Sequence, residues 1–146
     1  MRNRIEVMHG VNFDVLERRD ASIYGGITLT GLELRIGHFA RELALEASFH
    51  QTNHEGEFCE GLHRAAERAD GLIVNAGAWT HYSYAIRDAL EMAGLPAVEV
   101  HLSAVSERDD FRRSSVLRDL CFGCVEGKGV DGYREALELL KGRFRE

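Results

Sequence analysis

The sequence is poor in three features that define whole classes of protein. Its 146 residues include three cysteines and one proline, and positive charge is in deficit, with 18 Lys and Arg against 24 Asp and Glu. An odd, small number of cysteines does not build a disulfide framework and indicates a reducing compartment. A net charge of -6 provides no basic field for nucleic acid or an anionic membrane. We therefore expect a cytoplasmic protein whose partner is a small molecule, with no nucleic-acid or membrane partner.

Long hydrophobic runs are also missing. No apolar stretch reaches the ~18 residues of a membrane span. The first residues become acidic at Glu6 before a hydrophobic segment develops, so we expect no signal peptide. With 45% hydrophobic residues the chain can still bury a core, and its length is typical of one domain, which we expect to span residues 1–146.

Short apolar runs alternate with longer amphipathic segments. The runs predict strands at 5–8, 46–51, 71–74, 97–102 and 120–126, and helical spacing predicts helices over 28–43, 56–68, 81–93 and 130–144. Loops are predicted at 10–27 and 103–118, and either Thr28 or Thr30 is expected to cap the first helix. Strand–helix alternation implies parallel pairing with helices on both faces. The predicted fold class is α/β, a flavodoxin-like doubly wound sheet of five parallel strands in the order 2-1-3-4-5.

Polar side chains collect after the first, third and fourth predicted strands. They are His9, Asn12, Arg18, Arg19 and Tyr24 after the first, Asn75 and His81 after the third, and Glu99, His101 and Ser103 on or beyond the fourth. Doubly wound sheets bind ligands at the carboxyl ends of their strands, beside the point where strand order reverses. We therefore predict that these side chains share one crevice.

Tyr24 is a candidate general base. A phenol with a pKa near 10 stays protonated at neutral pH unless a cation favours its ionised form, and Arg18 or Arg19 can supply that cation. The alternative is an ordinary loop tyrosine between solvated arginines. Gly25 and Gly26, in a long segment without a periodic pattern, favour a mobile lid.

Glu99 and His101 are two residues apart on a predicted strand, so both side chains project from the same face. A carboxylate that supports an imidazolium makes a general acid. Mutual pairing of two buried polar groups for structural reasons is the alternative. Asn12 and Asn75 can bind an oxyanion or a carboxylate, and they can equally be turn-forming residues.

Three short motifs do not carry a function. The CxxC pair at 121–124 falls within a predicted strand, without the helix that redox pairs need. The GxGxxG sequence at 127–132 is followed by too few residues for a second ribose-binding strand and is predicted to be a tight turn. Asn53-His-Glu55 resembles the start of a metal-binding motif, but no HExxH or comparable set of ligands completes it. We expect no metal and no cofactor.

A series of longer motifs occurs in one order along nearly the whole chain. The motifs are Gly10-Val-Asn12 to Ile23-Tyr-Gly25, Gln51-Thr-Asn-His-Glu-Gly56, Asn75-Ala-Gly-Ala-Trp-Thr-His81 with Ala85-Ile-Arg-Asp-Ala-Leu90, Glu99-Val-His-Leu-Ser103, Asp110-Phe-Arg112 and Gly127-Lys-Gly-Val-Asp-Gly-Tyr133. This series resembles the type II 3-dehydroquinate dehydratases. The resemblance implies a hydro-lyase of the shikimate or quinate route, which eliminates water from 3-dehydroquinate through an enolate to give 3-dehydroshikimate, with neither metal nor Schiff base. It also implies a homo-oligomer, a dodecamer built from trimers.

The resemblance also implies a role for each matching residue. The catalytic set is Tyr24 as base, Arg19 as the cation beside it, Asn12 at the enolate, and His101 as general acid held by Glu99. The set that binds substrate is Asn75, Leu102 and Ser103 at the carboxylate and a nearby hydroxyl, His81 and Arg112 at the other hydroxyls and the ring edge, and Asp88, which in the family reaches the site of a neighbouring subunit.

The chain departs from the family pattern at several positions. The first motif usually reads Asn-Gly-Pro-Asn-Leu-Asn in the family, where this chain has His9-Gly-Val-Asn-Phe-Asp14, and further departures are Thr52, Ala76, Trp79, Arg113 and Ser114. Two loop prolines are lost, so we expect less preorganised loops at the pocket. These departures leave two alternatives open: a paralogue that dehydrates a related cyclic β-hydroxyketone, and a non-catalytic assembly protein on the same scaffold.

Overall fold

One sheet of five parallel strands forms the centre of the computed structural model, which describes all residues from 1 to 146. The strands are β1 (Arg4–His9), β2 (Glu46–Gln51), β3 (Gly71–Asn75), β4 (Ala97–His101) and β5 (Gly123–Glu126). Their order across the sheet is β2-β1-β3-β4-β5, and the predicted α/β, flavodoxin-like fold class is confirmed. Strands β3 and β4 are buried along their whole length. Burial on both faces explains the continuous apolar run of β3, whereas β4 buries Glu99 and His101 among its apolar residues.

Helices cover both faces of this sheet. They are α1 (Ala21–Tyr24), α2 (Leu29–Glu42), α3 (Glu55–Arg68), α4 (Tyr84–Ala93) and α5 (Asp131–Phe144). The apolar stripes of α2 and α5 pack with Ile5 and Val7 on one face of β1. Those of α3 and α4 pack with Met8 on the other face, because side chains of a strand alternate between its two faces. None of these helices combines the length and apolarity needed to cross a membrane.

Parallel register brings the carboxyl ends of the central strands to one edge of the sheet. His9 at the end of β1 is paired with Asn75 at the end of β3. The loops that follow these two strands touch closely, because a Cβ atom at Gly10 would lie 2.2 Å from the carbonyl oxygen of Ala76. Only glycine permits this approach of two backbones.

Two predicted boundaries differ from the structure. The segment 10–27, predicted as a loop, contains a 3-10 helix (Phe13–Arg18) and the four-residue helix α1, whose cap Asp20 accepts a hydrogen bond from the backbone of Ser22. These elements are too short to produce a periodic pattern. The helix predicted from residue 81 begins instead at Tyr84, because Ser83 caps it by accepting a hydrogen bond from the backbone N–H of Ile86.

The last strand is also shorter than predicted. Residues Arg118–Leu120 form a 3-10 turn and β5 begins at Gly123, so Cys121 precedes the strand. The backbone N–H of Cys121 donates to the carbonyl of Arg118 instead of joining the sheet. All three cysteines are free, and burial raises the pKa of Cys121 to about 12, so this thiol stays protonated.

Candidate active site

A cavity of about 220 Å³ opens at the carboxyl ends of β1, β3 and β4, beside the reversal of strand order. Its lining comes from four stretches of chain that follow these strands: Asn12, Phe13, Leu16, Arg19 and Tyr24; Asn75, Gly77, Ala78 and His81; His101, Leu102, Ser103, Val105 and Arg108; and Arg112. The structure brings most of the side chains predicted to share one crevice together there, but His9 and Arg18 do not line it. Of the predicted catalytic and substrate-binding residues, only Glu99 and Asp88 do not line the cavity.

Two guanidinium groups hold the hydroxyl of Tyr24. Arg19 Nη2 and Arg108 Nη1 each donate to the Tyr24 oxygen at 2.6 Å, and the Arg19 guanidinium lies 4.3 Å from the centre of the phenol ring. An arginine side chain has no acceptor, so the Tyr24 oxygen must accept both bonds. Arg18 is exposed and makes no contact with Tyr24, which decides between the two arginines considered for this position.

Arg108 is absent from the predicted site. It lies in the polar segment that follows β4, 84 residues from Tyr24 along the chain, and it also reaches the Ser103 hydroxyl at 3.3 Å. Neither its neighbours nor its spacing separates it from the other arginines of this segment. Only the folded chain identifies it.

His101 and Glu99 form a buried pair on β4. His101 Nε2 lies 2.5 Å from Glu99 Oε2, and the Glu99 side chain is fully buried behind the imidazole. Ser115 donates to the other carboxylate oxygen at 3.0 Å, and Arg118 approaches from outside at 3.5 Å.

These contacts decide the charge of Glu99. Burial raises its pKa, but the hydrogen bond and charge of His101, together with the charge of Arg118, outweigh burial and leave the pKa below its usual value. The carboxylate is therefore ionised at neutral pH. Its negative charge lies against the His101 ring, whose Nδ1 atom makes no hydrogen bond within the protein.

The rest of the cavity wall is neutral or positive. Arg112 lines it, as do the Asn75 amide and the Ser103 hydroxyl. His81 Nδ1 bonds the carbonyl of Ser114 at 2.7 Å, and burial, together with the charges of His101 and Arg112, lowers the His81 pKa below its usual value. No carboxylate lines the cavity, so an anionic ligand is favoured.

Asn12 stands on a strained but well-anchored loop. Its backbone has the left-handed φ of 72°, which asparagine tolerates better than most residues. Its backbone N–H donates to Asn53 Oδ1 at 2.7 Å, and Asn53 Nδ2 donates in turn to Asp14 at 3.0 Å. The loop after β2 therefore holds the loop after β1.

Asp88 lies away from the cavity of its own chain. It is exposed on α4, between the exposed side chains of Tyr84 and Met92 one helical turn to either side. No group of three or more His, Cys, Asp or Glu side chains is arranged to bind a metal ion.

Comparison with known proteins gives consistent matches. The family described as "Dehydroquinase class II" matches residues 3–141. A 3-dehydroquinate dehydratase of Pelotomaculum thermopropionicum is 46% identical over 134 residues, covering 92% of this chain and 93% of that protein. One from Thermotoga petrophila is 45% identical over 143 residues, covering 98% of each chain. The crystal structure of a type II dehydroquinase from Butyrivibrio crossotus superimposes with a TM-score of 0.91 at 38% identity, covering 95% of this chain and 97% of the other.

Proposed function

The chain belongs to the class II dehydroquinase family, and from this premise we propose that it is the hydro-lyase that eliminates water from 3-dehydroquinate to give 3-dehydroshikimate, in the shikimate or quinate route. One observation carries the proposal. A tyrosine oxygen held by two guanidinium groups and an imidazole backed by an ionised carboxylate line the same small cavity. These are a base and an acid, and an elimination of water needs both.

Proton removal is the task of Tyr24 in this mechanism. The substrate proton next to the ketone is only weakly acidic, and its loss gives an enolate. A tyrosine can accept this proton only as a phenolate, so the base must be anionic at neutral pH. Arg19 and Arg108 favour the phenolate, since each donates a charge-assisted hydrogen bond to its oxygen. Asn12 stabilises the enolate oxygen that develops, as a donor of an oxyanion site does.

Loss of the hydroxyl is the task of His101. The imidazolium donates its proton to the departing oxygen, and the electron pair of the enolate forms the new double bond as water leaves. Glu99 stays ionised and compensates the positive charge of His101 before this transfer. A positioned acid or base of this kind contributes about 10²–10⁴ in rate.

Substrate binding uses the remaining groups of the cavity. We assign the carboxylate and its neighbouring hydroxyl to Asn75, Ser103 and the backbone of Leu102, and the other hydroxyls and the ring edge to His81 and Arg112. A neutral His81 donates its Nδ1 proton to the Ser114 carbonyl, which leaves Nε2 free to accept a hydrogen bond from a substrate hydroxyl. We further propose a dodecamer built from trimers, in which Asp88 completes the site of a neighbouring subunit.

The test is the absorbance of the conjugated enone when purified protein is mixed with 3-dehydroquinate. We expect turnover by the wild-type chain and a loss of at least about 10² in kcat for Tyr24→Phe and for His101→Ala. Tyr82→Phe is the matched control, since this tyrosine is exposed and does not line the cavity.

Other outcomes would contradict the proposal. A folded wild-type protein that is inert with 3-dehydroquinate but dehydrates a related cyclic β-hydroxyketone would be the divergent paralogue. A protein inert toward every such ketone would be the non-catalytic assembly protein. Near-normal turnover by Tyr24→Phe or His101→Ala would remove that residue from its assigned role.

A further inference from the structure

His9 lies beneath the cavity wall, and the mechanism above does not use it. Its ring is fully buried and stacks on Phe13, a lining residue, with 4.7 Å between ring centroids. Nε2 lies 2.9 Å from the hydroxyl of Tyr133, and Nδ1 is buried without a hydrogen-bond partner. Unsatisfied buried nitrogens are costly and rare. This chain carries the histidine where the family pattern usually has asparagine.

The hydrogen bonds that lead from His9 to the cavity have a defined direction. The backbone N–H of Gly77 can only donate, and it lies 3.4 Å from Asn75 Oδ1, so the carbonyl end of that amide faces Gly77. The Nδ2 end then donates to the Tyr133 oxygen at 3.1 Å. Tyr133 has its own proton left to donate, and the atom that receives it is His9 Nε2. His9 therefore carries its proton on Nδ1.

We propose that His9 is a positioning residue for substrate binding: acting through Tyr133, it holds the Asn75 amide so that the second Nδ2–H is available to the substrate carboxylate. The inference deepens the proposed function and rests on it. Without the Tyr133 hydroxyl only the long 3.4 Å hydrogen bond from Gly77 orients the amide, which can then rotate and offer its oxygen, and that oxygen repels a carboxylate. The effect falls on binding, because the carboxylate keeps its charge throughout the reaction.

Steady-state kinetics of three variants test the proposal: His9→Phe, Tyr133→Phe and the double variant. His9→Phe keeps an aromatic ring against Phe13 and removes the acceptor, while Tyr133→Phe removes only the hydroxyl. We expect each single variant to raise KM for 3-dehydroquinate about three- to tenfold with kcat within about twofold. Since both residues act in one chain of hydrogen bonds, the double variant should match either single variant rather than multiply their effects.

Thr80→Val is the matched control, because it also changes a fully buried polar side chain, next in sequence to the lining residue His81, but the Thr80 hydroxyl makes no hydrogen bond to Asn75 or to any other group. Its KM should equal that of the wild type. The proposal is overturned if KM is unchanged in Tyr133→Phe, if kcat falls while KM stays constant, or if the effects of His9→Phe and Tyr133→Phe multiply.

The ¹⁵N spectrum of the histidine rings separates failure of this inference from failure of the proposed function. The signals lost in His9→Phe should be those of a ring protonated at Nδ1 and bare at Nε2, whether or not the wild-type protein turns over 3-dehydroquinate. A ring protonated at Nε2 overturns the positioning network. A wild-type protein that is inert but has a ring protonated at Nδ1 overturns the proposed function and with it the role of His9 in substrate binding, while the hydrogen bonds from His9 through Tyr133 to Asn75 stand.

Discussion

Arg108 is the residue beside the proposed base that the sequence reveals least. Arg19 is five positions from Tyr24 and close to it in any compact loop, whereas Arg108 reaches the same oxygen from the far side of the cavity at the same distance of 2.6 Å. Two positive charges stabilise an oxyanion more than one. The two arginines should therefore contribute comparably to the reaction.

Removal of either arginine should weaken the base. We expect Arg108→Ala and Arg19→Ala each to lower kcat/KM by about 10² and to move the rising limb of its pH profile to higher pH, because the loss of one positive charge makes the ionised phenol less favourable. Arg18→Ala, at an exposed arginine without contact to Tyr24, should leave the profile unchanged. Kinetics across a series of buffers measure all three, and an unchanged profile in Arg108→Ala would exclude it from this role.

His9 should also affect the dependence of stability on pH. Burial lowers its pKa to about 3, whereas in the unfolded chain it binds a proton near pH 6.5. Between these values the unfolded state holds one more proton than the folded state, so the stability from a neutral His9 is complete above about pH 6.5 and is lost as the pH falls. The loss from this group approaches about 1.4 kcal/mol per pH unit.

Urea unfolding at several pH values between 4.5 and 6.5 measures this slope. We expect His9→Phe to flatten it relative to the wild type, since the variant no longer takes up that proton on unfolding. His63→Gln, at an exposed histidine on α3, should keep the wild-type slope. Equal slopes in wild type and His9→Phe would show that His9 is not buried in its neutral form.

Among the elements, the loop after β1 shows how a missing proline is compensated. Val11 stands where the family usually has proline, so the loop loses one restraint on its backbone. Asn53 replaces it with contacts, accepting from the Asn12 backbone and donating to Asp14, and Gln51 donates to the carbonyl of Gly10 at 3.2 Å. Asp14, which also departs from the family pattern, thus serves as one anchor of the loop that lacks its proline.

The beginning of α2 permits a direct comparison of two neighbouring threonines. The Thr28 hydroxyl accepts a hydrogen bond from the backbone N–H of Gly31 at 3.0 Å and is the cap, whereas Thr30 lies within the first turn. Thr28→Ala should lower the free energy of unfolding by about 1 kcal/mol, and Thr30→Ala should change it by less than about half as much. Urea unfolding of both variants measures the difference, and equal losses would contradict this assignment of the cap.

At the scale of the whole molecule, α4 presents a surface that the single chain leaves open. Tyr84, Asp88 and Met92 lie along one exposed stripe of this helix, with Tyr84 and Met92 about 67% and 74% exposed. Exposed apolar side chains around a carboxylate are typical of a contact between subunits. The stripe is consistent with the proposed assembly, in which Asp88 serves a neighbouring site.

Mass photometry should therefore find particles of about 200 kDa, twelve chains of 16.4 kDa each. Tyr84→Arg combined with Met92→Arg should give smaller particles and lower turnover, because the two charges repel across the contact and Asp88 is withdrawn from the neighbouring site. Leu139→Arg, on α5 at the other face of the sheet, serves as the control. A wild-type monomer with full activity would contradict the assembly.

Local patterns in the sequence were sufficient for the framework of this protein. The apolar runs and helical spacings predict the five strands, the four long helices and the order of the sheet. They do so because burial of one face or both faces of an element fixes the spacing of apolar residues along a short stretch of sequence. The same framework locates the crevice, since parallel strands end at one edge. The short helix of Tyr24 and the starts of α4 and β5 were missed, because single hydrogen bonds at caps and turns leave no periodic trace.

Tertiary structure alone decided which side chains contact one another in and beneath the crevice. It selected Arg19 over Arg18, added Arg108 from 84 residues away, and joined His9 to Tyr133 across 124 residues. The contacts of Arg108 and of His9 form between segments distant in the chain, so their partners are set by the packing of the whole sheet and its helices. A residue type and its neighbours specify which bonds a side chain can make, and the fold determines which of those bonds it does make.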